Sequence, residues 1–236
     1  MTFLLLAGCA NDPHVPLNKD FWVKQPKPTI AVAMSPTPQA DFRFYGAGLV
    51  DAAIIIAANQ KFIKYLNEYD LSRFDNLETQ FLQNLHQQGI PTQKYSGKFE
   101  LGKLKNSSET NYAAYERKDF TALYPQLKAD QLLLINIVFV GATRHYYGFI
   151  PLGAPSAICK MEGRLVNLKT NRTLWRFSTI QQVAVKDHWD QPTLYPNFSQ
   201  ALNQVIAQTN QAVLNDFFSS ASISNKAVNP IRKANS

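Results

Sequence analysis

Two cysteines and four histidines are all that this chain offers to thiol and imidazole chemistry. None of the histidines, His14, His86, His145 or His188, stands at metal-ligand spacing from another ligand, so no zinc pattern can be drawn. Charge is also scarce. Asp, Glu, Lys and Arg make up 17% of the residues, and Asn and Gln supply much of the polar surface instead. The 24 basic residues outnumber the 17 acidic ones, for a net charge of +7, but they are scattered. No Lys/Arg cluster and no nucleic-acid motif is present, which argues for a solvated basic surface and against a nucleic-acid groove. Long apolar runs are missing too. The longest candidate, residues 46–58, contains Asp51 and is too short to cross a bilayer core.

A catalytic constellation is equally hard to assemble. Gly153-Ala154-Pro155-Ser156-Ala157 has its serine off position for a nucleophile elbow, with a proline in front. His188 and Asp190 are two apart but lack an identifiable serine partner. Glu109, Glu116 and Asp119 fit a solvated polar stretch better than a pair of glycosidase carboxylates. These observations favour a non-enzymatic protein. The alternative is an envelope ligand-binding lipoprotein or cell-wall hydrolase, which would need a cleft holding His145 or His188 beside a carboxylate and a serine.

What is present begins at the N-terminus. Leu6-Ala7-Gly8-Cys9 ends an apolar run and matches a bacterial lipobox. Small residues before the cut fit a peptidase groove, and the cysteine thiol accepts diacylglycerol. Two or three acyl chains then anchor a protein stably where one would not. The expectation is a signal peptide over 1–8 and a lipidated tether over 9–28, Cys9 carrying diacylglycerol and acyl groups and no other cofactor being implied. The apolar run is short and no Lys or Arg precedes it, so the true start codon could lie upstream. Cys159, flanked by apolar residues, reads as a packing residue.

The remaining pattern is α/β, with the order β-α-α-β-α-β-β-β-α in one domain over 29–218. Residues 29–34 form a buried strand between prolines, and 35–44 read as a loop. The apolar stretch 46–58 predicts a helix buried on several sides, and the pattern allows it to run on to about Tyr69. Leu77, Phe81, Leu82 and Leu85 mark an amphipathic helix that stops at Gly89. Pro91 limits 90–95 to an edge strand. Asp119 caps a helix carrying Phe120, Leu123, Tyr124 and Leu127. Gln131 to Val140 is apolar nearly throughout, which predicts a central strand covered on both faces. A β-hairpin follows over 157–185, turning at Lys169-Thr170-Asn171. The last helix spans 195–218, and the polar tail 219–236 reads as disordered.

Three features together carry a resemblance: the lipobox, the junction Lys128-Ala129-Asp130-Gln131-Leu132-Leu133-Leu134, and the hairpin from Glu162 to Trp175 with its Lys169-Thr170-Asn171 turn and Leu174-Trp175. The chain resembles periplasmic lipoproteins that share a small domain related to the N-terminal domain of TolB, among them CsgG and LpoB. In that group the turn ends in Gly; Asn171 stands here, and Asn also tolerates a left-handed conformation. The resemblance implies a TolB-like α/β (α+β) domain, a single mixed sheet covered by helices. Ala10 after the cysteine, where Asp would retain such proteins at the inner membrane, implies the periplasmic face of the outer membrane. It carries over no binding residue.

The expected function is a structural or assembly subunit of an envelope complex. Its partners would be envelope proteins, such as a type IV secretion-system core or a cell-wall synthase, or a second copy of the chain. Exposed aromatics are the usual interface anchors. The candidate partner-binding residues are Phe42, Phe44, Tyr45, Tyr146, Tyr147, Phe149 and Trp189. The competing reading places these rings in the core or in turns.

Overall fold

The computed structural model describes residues 12–97, 99–185, 188–191 and 195–228. Cys9 and the expected signal peptide lie outside them. The strands β1 (Ile30–Met34), β2 (Asp41–Tyr45), β3 (Thr92–Lys94), β4 (Gln131–Tyr147), β5 (Ile150–Pro151), β6 (Ser156–Asn167) and β7 (Thr173–Ala184) form one mixed sheet. Its order is β3-β1-β4-β6-β7, with β2 and β5 paired to the far half of β4. β1 runs parallel to β3 and β4, whereas β4, β6 and β7 form an antiparallel meander.

The central strand is where the apolar run predicted it, but it is longer, reaching Tyr147. That length lets two consecutive strands share its edge. β1 pairs with residues 131–135 and β2 with residues 141–145. The segment 35–44, expected as a loop, therefore contains β2 but for its last residue, Tyr45. Its alternation of Phe42 and Phe44 with Asp41, Arg43 and Tyr45 is a half-buried strand of only five residues. Gly141 makes the junction possible. Its φ is +147°, and a Cβ there would lie 2.0 Å from the carbonyl oxygen of Asp41.

The helices are α1 (Leu49–Ala58), α2 (Gln60–Asn67), α3 (Asp75–Gln87), the single turn α4 (Tyr124–Leu127) and α5 (Pro196–Val228). α2, α3 and α5 cover one face of the sheet, where Phe62, Phe81, Phe198, Val205 and Phe217 meet Leu133, Ile135, Met161 and Trp175. The opposite face carries a smaller core built from Ala31, Ala33, Leu132, Leu134 and Val166 beneath Phe99 and Phe120. Strand β1 feeds alternate side chains into both cores, which accounts for its unbroken apolar sequence.

The β6–β7 hairpin is held by two close approaches. A Cβ at Gly163 would lie 2.2 Å from the Trp175 ring, so the glycine makes room for the indole. Asn171 has φ 57°, as its turn position demands, and its side chain does more than tolerate that shape. Its amide donates to the carbonyls of Glu116 (3.1 Å) and Lys118 (2.9 Å), and its oxygen accepts the Phe120 N–H at 2.9 Å. Beside it the fully buried Glu116 accepts from Arg164 and Arg176 at 3.0 Å each and from the Thr173 hydroxyl at 2.9 Å. Glu116 is thus a structural carboxylate with its charge matched in the interior, not part of a solvated stretch.

Both ends of the domain differ from expectation. Residues 12–28 do not behave as a free tether. Val15 exchanges two backbone hydrogen bonds with Arg176, each 2.9 Å, and covers part of the β7 edge. Asp12 pairs with Arg117 at 2.8 Å, and Leu17 and Trp22 are buried. The tail read as disordered from 219 continues α5 as far as Val228, with Ser220 and Ala221 buried. The indole N–H of Trp22 donates to Ser220 Oγ at 2.7 Å, which fastens the two ends together. Isolated apolar residues in a polar segment carry no periodicity, and for that reason both segments read as unstructured.

Candidate interaction surface

The far half of β4 and the paired β2 place aromatic side chains alternately inward and outward. Phe42 points inward against Phe62 of α2, with ring centroids 5.8 Å apart. Tyr146 is buried and its hydroxyl accepts from Asn59 Nδ2 at 3.1 Å. Phe44 and Trp189 are half-buried. Phe44 packs edge-on to Tyr146, and Trp189 packs edge-on to Phe62 beneath the Arg144 guanidinium. Four of the seven candidate residues, Phe42, Phe44, Tyr146 and Trp189, therefore belong wholly or partly to an aromatic core. Phe42 and Tyr146 are buried as the competing reading expects, and Phe44 and Trp189 keep part of their surface open.

Tyr45, Tyr147 and Phe149 do face outward. Tyr147 and Phe149 flank Gly148 (φ 60°) in the tight turn between β4 and β5, and Ile150 and Leu152 continue the tip. Tyr147 is 77%, Phe149 56% and Leu152 65% exposed.

Helix α1 stands beside this tip. Gly46 permits the approach: its φ is +83°, and a Cβ there would meet the Tyr146 carbonyl oxygen at 2.2 Å. At the helix start, the Gly48 N–H donates to the Asp51 carboxylate at 3.1 Å. The expectation that α1 is buried on several sides is overturned. Only Ile55 is buried, while Leu49 is 97% and Val50 79% exposed, and Ile54 and Ile56 are also open to solvent. The chain beyond Asn59 supplies the burying stripe instead, through Phe62 and Leu66 of α2. A sign of this was available in the sequence, since α2 has the amphipathic spacing that α1 lacks.

Between the C-terminal half of α1 and the tip runs an open cleft of about 560 Å³, lined by Ile54, Ala57, Phe149, Pro151, Arg144 and Asp190 among others. Among the described residues no histidine or serine lines it. His145 instead lies against the Tyr45 ring, centroids 5.4 Å apart. A second groove of about 390 Å³ holds Asp12, His14, Glu162, Arg164 and Arg176. Its charges are engaged with one another and with Arg117, Glu116 and Asp216. Among the described residues no group of three or more His, Cys, Asp or Glu could hold a metal ion, and no helix is long and apolar enough to cross a membrane. Cys159 lies under α5, and burial pushes its thiol up to about 11, against a smaller lowering by Thr209.

No protein-family model matches the chain, and no curated protein matches it. Among solved structures the chain is similar to lipoprotein GNA1162 from Neisseria meningitidis, at 11% identity over 78% of this chain and 99% of that one, with a TM-score of 0.33. It is similar to protein XCC0632 from Xanthomonas campestris at 12% identity, covering 85% and 86% of the two chains, with a TM-score of 0.39. A minor lipoprotein from Acinetobacter baumannii shares 9% identity over 84% and 94%, with a TM-score of 0.30. Likenesses this distant leave family, ligand and activity to be argued from the chain's own residues.

Proposed function

We propose that the chain is a non-catalytic lipoprotein of the bacterial outer membrane, anchored through an acylated Cys9 at the periplasmic face, and that it serves as an assembly subunit of an envelope complex. The observation that carries this reading is the apolar surface of α1 and the β4–β5 tip, built on a rigid sheet and open to solvent. Contiguous apolar surface of this size on a soluble domain marks an interaction site. The lipobox supports the anchor. A secretion-system core, including type IV, is one assembly of the class to which the reading assigns it; a cell-wall synthase is another.

The test is co-purification of the full-length protein from native membranes in mild detergent, beside an Ile56→Glu/Phe149→Ser variant. A defined envelope protein recovered with the parent and lost with the variant is the expected result. Recovery of the bare chain from both would overturn the docking role. Cys9→Ser tests the anchor separately, since it should leave the precursor uncleaved and release the protein from the membrane fraction.

A further inference from the structure

Three properties of the apolar surface narrow down what covers it. The first is the shape of the exposed arc. At 100° per residue, Leu49, Val50, Ala53, Ile54, Ile56, Ala57 and Ala58, all exposed, span about 200° of α1, more than half its circumference. An occupant must therefore supply apolar groups on two sides of the helix. The second is that the surface carries a ridge and a groove side by side: α1 itself, and the cleft between its C-terminal half and the tip. A patch holding both has the two shapes that an isologous interface requires, a projection and a recess for its two-fold copy to exchange. The third is charge. The single charged side chain of α1, Asp51, accepts a hydrogen bond from its own helix start, and the cleft rim carries both signs, Lys61 and Arg144 with Asp190. Two copies can meet there without burying an excess of one sign.

Size agrees. Taken at about 150–200 Å² per whole side chain, the exposed apolar residues of α1 and the tip present roughly 1,000 Å². A stable interface removes about 800 Å² from each partner, while a monomer seldom leaves an apolar patch above about 600 Å². We infer that a second copy of this chain occupies the surface, α1 of each protomer seating in the cleft beside α1 of the other to give a two-fold dimer. This rests on reading the patch as a docking surface, and it names the occupant. Ala53 and Ala57, exposed and one turn apart, let the two helices approach closely.

The experiment places a thiol at the centre of the contact. Full-length protein carrying Ala53→Cys is treated in native membranes with a short bis-maleimide, beside Lys105→Cys and the unsubstituted parent. Cys159 is buried and stays silent, so a cross-linked parent would report an unacylated Cys9. The expected result is a covalent species of twice the chain mass for Ala53→Cys, at least tenfold above Lys105→Cys and abolished by adding Ile54→Glu and Phe149→Ser. Sedimentation of the detergent-solubilised parent at twice the chain mass would agree. Cross-linking to a different protein would overturn the dimer and leave the docking surface standing. Shielding of the introduced thiol from a water-soluble maleimide by phosphatidylethanolamine–phosphatidylglycerol vesicles, with no dimer, would overturn it in favour of the bilayer. A freely reactive thiol with no cross-link would sink both the dimer and the docking surface.

Discussion

Helices α1 and α5 invert the usual link between apolar sequence and burial. α1 reads Leu-Val-Asp-Ala-Ala-Ile-Ile-Ile-Ala-Ala and buries Ile55 alone. α5 is rich in Asn, Gln and Ser, yet it buries Phe198, Leu202, Val205, Ile206, Val213 and Phe217 in one stripe on the sheet. What decides is placement. The spacing of apolar residues in α5 matches a single flat face, so every large one finds the same partner surface. α1 has no such stripe and leaves the sheet edge after Gly46, where none of the described elements is laid over it. Its apolar groups therefore contribute little to folding and stay in contact with solvent.

The contrast is open to attack at several points. Phe217 touches Trp22, Phe81 and Trp175 in the core, and Phe217→Ala should cost about 3–5 kcal/mol in denaturant unfolding. Ile56→Ala on α1 should stay within about 0.5 kcal/mol; equal costs at the two helices would break the comparison. Next comes thiol chemistry. With burial holding the Cys159 thiol at about 11, only about one molecule in a thousand carries the thiolate at pH 8. A cysteine placed at Ala53 in the dimer-breaking Ile54→Glu/Phe149→Ser background should label at least a hundredfold faster, and comparable rates would mean that α5 opens readily. Ser220→Ala strips the Trp22 indole of its acceptor and should cost about 1–3 kcal/mol. A loss well below that would show the chain ends to be loosely fastened. Of the two hydrogen-bond deletions the smaller effect belongs to Asp51→Ala, which removes the bond from Gly48 N–H at the start of α1. It should cost no more than about 1 kcal/mol, read by thermal melting, and leave dimer cross-linking intact.

Much of the sheet could be read from single residues. Gln131 to Val140 announced a strand covered twice, and the hairpin expected over 157–185 is present as β6 and β7, turning at Lys169-Thr170-Asn171. β2 escaped because its partner is a hundred positions away and five residues are too few for periodicity to outweigh the flanking prolines. The N-terminal segment escaped because Val15, Leu17 and Trp22 dock singly. Which rings face solvent was half legible. Tyr45, Tyr147 and Phe149 face outward as expected, but alternation along a strand sends Phe42 and Tyr146 inward, and composition alone could not say which ring takes which side. α1 was misread for a deeper reason: apolarity tells that a side chain will shun water, not whether its shelter lies within the same molecule.

The pinned N-terminus bears on how such a protein would find its partner. Arg117 holds Asp12, and only three peptide units separate Asp12 from Cys9, a contour of about 11 Å when fully drawn out. With acyl chains on that cysteine, the body would ride on the headgroups and could not roam the periplasm. Its search would be two-dimensional, so encounters would scale with the number of copies per area of membrane, and soluble volume would hardly matter.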